Sequence, residues 1–176
     1  MERERAGDLT RQRFEALFDA HERAVLAYAL RRLARRADAD DVVSETFAIA
    51  WRRLNEVPPE PLPWLLATAR RIVANQNRGE RRREALRTIV ERERPPGPPE
   101  ERGLLDALAS LREKDRESLL LVAWEGLSYA DAARVMDCSV AAFAARHTRA
   151  RTRLASALEA TPPALQSAIR AEELGS

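Results

Sequence analysis

The sequence is poor in glycine, aromatic residues and cysteine, and each shortage excludes something. There are 6 glycines in 176 residues, and aromatics make up 5%. Val-Ile-Thr-rich alternating runs bounded by turns are also missing, so no sheet is expected. The single cysteine, Cys138, excludes an internal disulfide and fits a reducing cytoplasm. The only histidines are His21 and His147, which with Cys138 lack the spacing of a zinc site. No glycine-rich phosphate loop is present either. No metal, cofactor or catalytic constellation is therefore expected. The N-terminal string MERERAGDLTRQRF has no apolar centre of the kind a signal peptide needs. The longest apolar run falls far short of the ~20 residues that cross a bilayer. A cytoplasmic protein without membrane insertion is expected.

What is present favours helix. Alanine, leucine, arginine and glutamate, which cost least in a helix, fill the long stretches. With 45% hydrophobic and 33% charged residues, a core can form and global disorder is excluded. The net charge of +2 hides the layout: 30 residues are basic, and all but Lys114 are arginine. Arginine suits forked contacts to phosphate and carboxylate. The sequence pI near 9.2 permits nucleic-acid binding without demanding it.

A boundary stands at residues 91–103, ERERPPGPPEERG, where prolines sit among charges with no apolar anchor. This reads as a flexible or extended linker. It separates residues 1–90 from a second half at 104–160, followed by a tail at 161–176.

In the first half, 13–35 reads as a helix or broken helix pair carrying Phe14, Leu17, Phe18, Val25, Leu26, Leu30 and Leu33. A second helix is predicted over 38–54, with Asp38 as N-cap and Val43, Phe47, Ala50 and Leu54 as its buried stripe. Asp38, Asp40, Asp41 and Glu45 make its start acidic, and Val42 and Ile49 are expected to be exposed beside them. Such a surface suits a protein partner, although plain capping explains the acids equally well. Residues 55–63, NEVPPEPLP, are expected to be non-helical. Pro63 then opens a third helix over 64–77 or beyond, with Leu65, Leu66, Ala69, Ile72 and Val73 inward. Arg70, Arg71, Arg78, Arg81, Arg82 and Arg83 make this helix basic, and Asn75, Gln76 and Asn77 interleave amides able to pair with base edges. The alternative is a helix surface whose C-terminal charges merely suit the macrodipole.

In the second half, Leu104, Leu105, Leu108 and Leu111 mark one helix, and 115–124 a buried second ended by Gly126. Ser128, three residues before Asp131, caps a third. Asp137 and Cys138 form a tight turn, with Cys138 a small buried residue, and Ser139 caps a last helix over 140–158. With small Ala132 and Ala133 at the crossing, this is a helix-turn-helix pattern; a plain antiparallel hairpin is the alternative. From Arg146 to Arg153 the last helix carries Arg146, Arg149, Arg151 and Arg153 and no acid. A DNA backbone would supply the missing anions; a solvated arginine face is the bland alternative. The groove-entering end would be Ser139, Ala141, Ala142 and Ala145, which can touch thymine methyls or read shape only. The expected fold is all-α: an N-terminal helical bundle and a C-terminal four-helix domain with the helix-turn-helix, joined by the proline-rich linker.

These strings resemble the extracytoplasmic-function (ECF) family of RNA polymerase sigma factors. DADDVVSETFAIAW (38–51) is similar to the family's core-binding motif, PWLLATARRIVANQNRGERRR (63–83) to its −10 helix, and 104–154 to its −35 domain. The resemblance implies a promoter-specificity subunit without catalytic chemistry. It places Asp40, Asp41, Ser44, Glu45 and Phe47 in the stretch that grips the β′ clamp helices of the polymerase core. It places Arg70, Arg71, Asn75 and Arg78 on −10 DNA, and residues 55–63 around a flipped −10 base. Ser139, Ala142, Ala145, Arg146 and Arg149 match the −35 recognition helix. An anti-sigma factor is the further partner implied. Ala144 and His147 depart from the basic or polar residue and the leucine usual at those positions, which implies altered −35 readout and altered packing. Residues 55–63 also lack the aromatic often found there. The rival readings are a sigma-mimic adaptor, which would bind an anti-sigma factor without engaging promoters, and an autonomous helix-turn-helix regulator.

Overall fold

A computed structural model describes the backbone of residues 2–84 and 99–159 and the side chains of residues 8–78 and 103–159. The described residues form α1 (Glu2–Leu30), α2 (Arg36–Arg52), a 3-10 turn (Leu54–Glu56), α3 (Leu62–Glu84), α4 (Pro99–Ser110), α5 (Glu113–Ala123), α6 (Tyr129–Met136) and α7 (Val140–Glu159). No strand occurs among them, and the chain divides into two compact units, the first holding α1–α3 together with residues 134–137 at the end of α6, the second α4, α5, the start of α6 and α7.

In the first unit, α1 packs on α2 and α3, and α2 packs on α3. α1 is one unbroken helix, and it stops at Leu30 rather than 35. Its end is held by Arg32, whose guanidinium lies 3.5 Å over the Tyr28 ring and donates to the Tyr28 carbonyl at 2.9 Å. A cation here satisfies a terminal carbonyl and suits the negative end of the helix. α2 starts at Arg36, two residues before the expected Asp38 cap. Arg35 is the N-cap without a side-chain bond, and Asp38 sits in the first turn.

The buried face of α2 comprises Ala39, Val42, Val43, Thr46, Phe47 and Ala50. Their three- and four-residue spacing gives a broad apolar stripe. Val42 therefore reverses the sequence expectation: it is 0% exposed, and Ile49 is half-buried. A helix covered by two neighbours needs a wider apolar face than a single line of residues provides. Within that face the hydroxyl of Thr46 is buried and has no hydrogen-bond partner among the described residues. Thr46→Val, which keeps the shape and drops the lone hydroxyl, is expected to stabilise the first unit by about 1 kcal/mol. A thermal melt checks this, as a rise in midpoint of a few degrees.

In the second unit, α4 and α5 both pack on α7. Leu108, Leu111, Leu119 and Ala150 form a buried cluster, flanked by Leu104 and Leu154. α4 begins at Pro99, inside the stretch read from sequence as linker. Proline at a first helical position lacks only a donor that would be unpaired anyway, and the following Glu100 and Glu101 suit a helix start. Residues 91–98 and the 161–176 tail lie outside the described residues. Trp124, expected to be buried, is 49% exposed just past the end of α5. Gly126 adopts φ +65°, the left-handed stop its sequence position implied.

Candidate functional site

Three surfaces carry the side chains singled out by sequence. The first is the outer face of α2. Asp40, Asp41, Ser44 and Glu45 are all exposed there. Asp40 accepts from Arg36 Nε at 3.2 Å, and the Ser44 hydroxyl donates back to the Asp40 carbonyl at 3.0 Å. Asp41 and Glu45, one turn apart, have no ion-pair partner among the described residues. They are the two acids of this face left open to an outside cation.

Phe47 does not belong to that face. It is 3% exposed and packs against Phe18 at 4.7 Å and Phe14 at 6.3 Å between ring centroids. Its part is to seat α2 on α1, so any grip on a partner passes through the residues it supports. The aromatic that is exposed is Trp51, at 46%, leaning edge-on against Phe14 at 5.1 Å. Asp41, Ser44, Ala48 and Trp51 follow one another at three- and four-residue steps, so Trp51 shares the acidic face. Helical spacing from Ser44 was the signal in the sequence that would have found it.

The second surface runs from the loop after α2 onto α3. Residues 55–63 are not wholly irregular, since Leu54–Glu56 form a 3-10 turn and α3 begins at Leu62. Leu54 and Val57 are buried and anchor the loop. Arg13 on α1 donates to the Val57 carbonyl at 3.4 Å. Arg53 Nε donates to Glu56 at 3.0 Å, and this bond holds the Glu56 carboxyl below its ordinary pKa. On α3, Arg71, Asn75 and Arg78 are exposed at i, i+4 and i+7, forming one polar stripe. Arg78 donates to the Asn75 side-chain oxygen, which fixes that amide's orientation. Arg70 is half-buried and lies on a different flank. The backbone of α3 continues through Arg81, Arg82 and Arg83, whose side chains lie outside the described ones.

The third surface is the helix-turn-helix. The Ser128 hydroxyl accepts from the Asp131 N–H at 3.1 Å and donates to the Asp131 carboxylate at 2.6 Å. The capping box is thus closed through the hydroxyl. Asp137 takes φ +53°, and the Cys138 N–H bonds the Ala133 carbonyl at 3.1 Å, closing α6 with a left-handed cap. Cys138 is half-buried rather than buried. Ser139 caps α7 by accepting from the Ala142 N–H at 3.2 Å. Ala132 and Ala133 are 0% and 2% exposed, as close helix crossing requires.

On α7, Phe143, His147 and Ala150 face inward. Ser139, Ala142, Ala145 and Arg149 are exposed, and Arg146 is half-exposed. The expected set of four uncommitted cations is reduced by one. Arg153 is ion-paired with Asp115 in the first turn of α5, whose side chain is only 9% exposed. No acid follows Arg146 on its own helix until Glu159, but folding brings one from a neighbour. Arg146, Arg149 and Arg151 have no ion-pair partner among the described residues. His147 is accommodated rather than disruptive: it is 6% exposed, stacks on Phe143, and its Nδ1 lies 2.8 Å from the Tyr129 hydroxyl.

Among the described residues, no helix is long and apolar enough to cross a membrane, and no group of three or more His, Cys, Asp or Glu could hold a metal ion. The Sigma-70 region 2 family matches residues 17–83, most of α1 through α3. The Sigma-70 region 4 family matches residues 101–154, from α4 into α7. The ECF RNA polymerase sigma factor BldN of Streptomyces coelicolor is 31% identical over 149 residues, which cover 77% of this chain and 56% of BldN. The chain thus spans little more than half the length of that relative. The probable RNA polymerase sigma-C factor of Mycobacterium bovis is 37% identical over 128 residues, 66% of this chain and 68% of that protein. The crystallised sigma factor RpoE of Bartonella quintana, in complex with the anti-sigma factor NepR, superposes with a TM-score of 0.64 at 25% identity. That match covers 85% of this chain and 98% of RpoE. The chain belongs to the ECF family of RNA polymerase sigma factors.

Proposed function

We propose that this chain directs RNA polymerase to specific promoters by three separate contacts. The outer face of α2, with Asp41, Glu45 and Trp51, docks on the clamp helices of the core β′ subunit. The Arg71, Asn75 and Arg78 stripe of α3 lies on the −10 element, with Arg70 at its flank and residues 55–63 around a flipped base. The exposed start of α7, from Ser139 through Ala142 and Ala145 to Arg146 and Arg149, lies in the −35 major groove. The observation that carries this reading is the segregation of charge by surface. Among the described residues, the acids without an ion-pair partner on α2, Asp41 and Glu45, lie together, and Arg146, Arg149 and Arg151 on α7, likewise without one, lie beside small groove-sized alanines.

An anti-sigma factor is the proposed regulator, since RpoE, which shares this fold, is found in complex with one. The test is transcription in vitro with core polymerase and genomic DNA, followed by mapping of start sites. Start sites that depend on the chain support the reading. Their absence, together with retained anti-sigma binding, would favour the sigma-mimic alternative.

Arg146 and Arg149 serve phosphates in this reading, because alanines occupy the base-facing end. Arg146→Ala with Arg149→Ala is expected to weaken −35 binding about equally across sequences. It is also expected to flatten the dependence of log affinity on log salt by about one unit per arginine. A salt titration on two unrelated duplexes checks both; a change selective for one base would contradict the phosphate role.

A further inference from the structure

α6 has 8 residues and is too short to hold its place by helix propensity. Side chains at its first residue tie it to α7. The Tyr129 ring meets Phe143 edge-on at 5.4 Å between centroids and lies 5.0 Å from the His147 ring. His147 stacks on Phe143 at 5.9 Å with the rings inclined by 23°. The Tyr129 hydroxyl and His147 Nδ1, 2.8 Å apart, are the polar link of the cluster. Phe143 is 0% and His147 6% exposed, while Tyr129 at 37% reaches solvent. An apolar residue at 147 would fill the same space but make no such link.

We propose that the Tyr129–His147 pair positions the α7 recognition helix against α6 and makes promoter binding by the second unit weaken in acid. The proposal rests on reading α7 as the −35 reader. With the neutral imidazole protonated on Nε2, Nδ1 accepts a hydrogen bond from the Tyr129 hydroxyl. Protonation fills Nδ1. The hydroxyl must then turn from donor to acceptor, and the buried imidazolium stands one turn from the exposed Arg151. Burial, and after it the Arg151 charge, hold His147 below its ordinary value of 6.5. Among the other charged groups on the surrounding helices are Asp106 on α4, Asp115 and Glu117 on α5, Asp131 and Arg134 on α6, and Arg146 on α7. None of these offsets the effect, and Asp115 is already taken by Arg153. Because the folded value lies below the unfolded one, the unfolded chain takes the proton first. The stabilisation is complete above pH 6.5 and fades as pH falls from there through the folded value.

The test uses the full chain with two readouts. One is hydrogen exchange of the α6 and α7 amides; the other is affinity of the assembled polymerase for a promoter duplex recovered by start-site mapping. Between about pH 7.5 and about pH 5.5, the wild-type chain is expected to lose more protection and more affinity than His147→Leu does. Tyr129→Phe keeps the ring and drops the bond; it is expected to raise α6–α7 opening about five-fold already at about pH 7.5. A His147→Leu profile that parallels wild type, or unchanged opening in Tyr129→Phe, overturns the proposal. If no variant binds the duplex at any pH, the −35 reading of α7 fails and the acid-sensitive binding with it. The exchange readout then still decides whether the pair positions α7.

Discussion

Reversing two exposed acids of α2, as Asp41→Arg with Glu45→Arg, is expected to weaken assembly with the polymerase core about 100-fold, or roughly 3 kcal/mol. Both side chains are exposed on the outer face, opposite the stripe that holds α2 in the bundle. Neither has an ion-pair partner among the described residues, so folding loses little when they change. Surface substitutions away from packed features usually move stability by less than about 0.5 kcal/mol. A like-charge clash at a docked interface costs several times that. Binding of the fluorescently labelled chain to core polymerase, alongside a circular-dichroism melt, separates the two effects. Asp40→Arg is the internal comparison: Asp40 is engaged by Arg36, so its loss should matter less to the core. Full affinity in the double variant would remove α2 as the docking face.

The second large effect is expected from Phe143→Ala. Phe143 is fully buried, and it is the ring on which both Tyr129 and His147 rest. Truncating a buried phenylalanine costs about 3–5 kcal/mol. Small domains have about 5 kcal/mol in all, so the second unit is expected to be largely unfolded. The first unit has its own core, with Val25, Tyr28, Val42, Leu65 and Ala69 essentially inaccessible to solvent, and is expected to survive. Hydrogen exchange should show protection lost over α5–α7 and kept over α1–α3. Transcription from −35-dependent start sites should be lost with it. Loss of protection across both units would mean that they do not fold separately.

Much of the fold was legible because local signals agree with one another. Ser128 with Asp131, Gly126, and Ser139 mark their boundaries by chemistry that needs no tertiary partner, and the structure places all of them as read. The apolar spacing of α3 located its inward residues for the same reason. What sequence did not show depended on contacts made across the chain. Val42 looked surplus to a single-file stripe, yet α2 is covered on two sides. Arg153 counted as one of four cations until folding set it against Asp115, 38 residues away. His147 implied only altered packing, because nothing local reveals that Tyr129, 18 residues earlier, would bring a hydroxyl to its ring. Pro99 belonged by composition to the linker, although a proline is also at home where a helix starts.

In the proposed function, two helical units act together on promoter DNA once α2 has docked on the polymerase. The most direct test measures chain-dependent transcription start sites with purified core polymerase, using the wild-type chain and the Asp41→Arg, Glu45→Arg variant side by side. Defined start sites are expected with the wild-type chain, and their loss with a variant that still folds. Core polymerase that gains no new start site from the wild-type chain would contradict it.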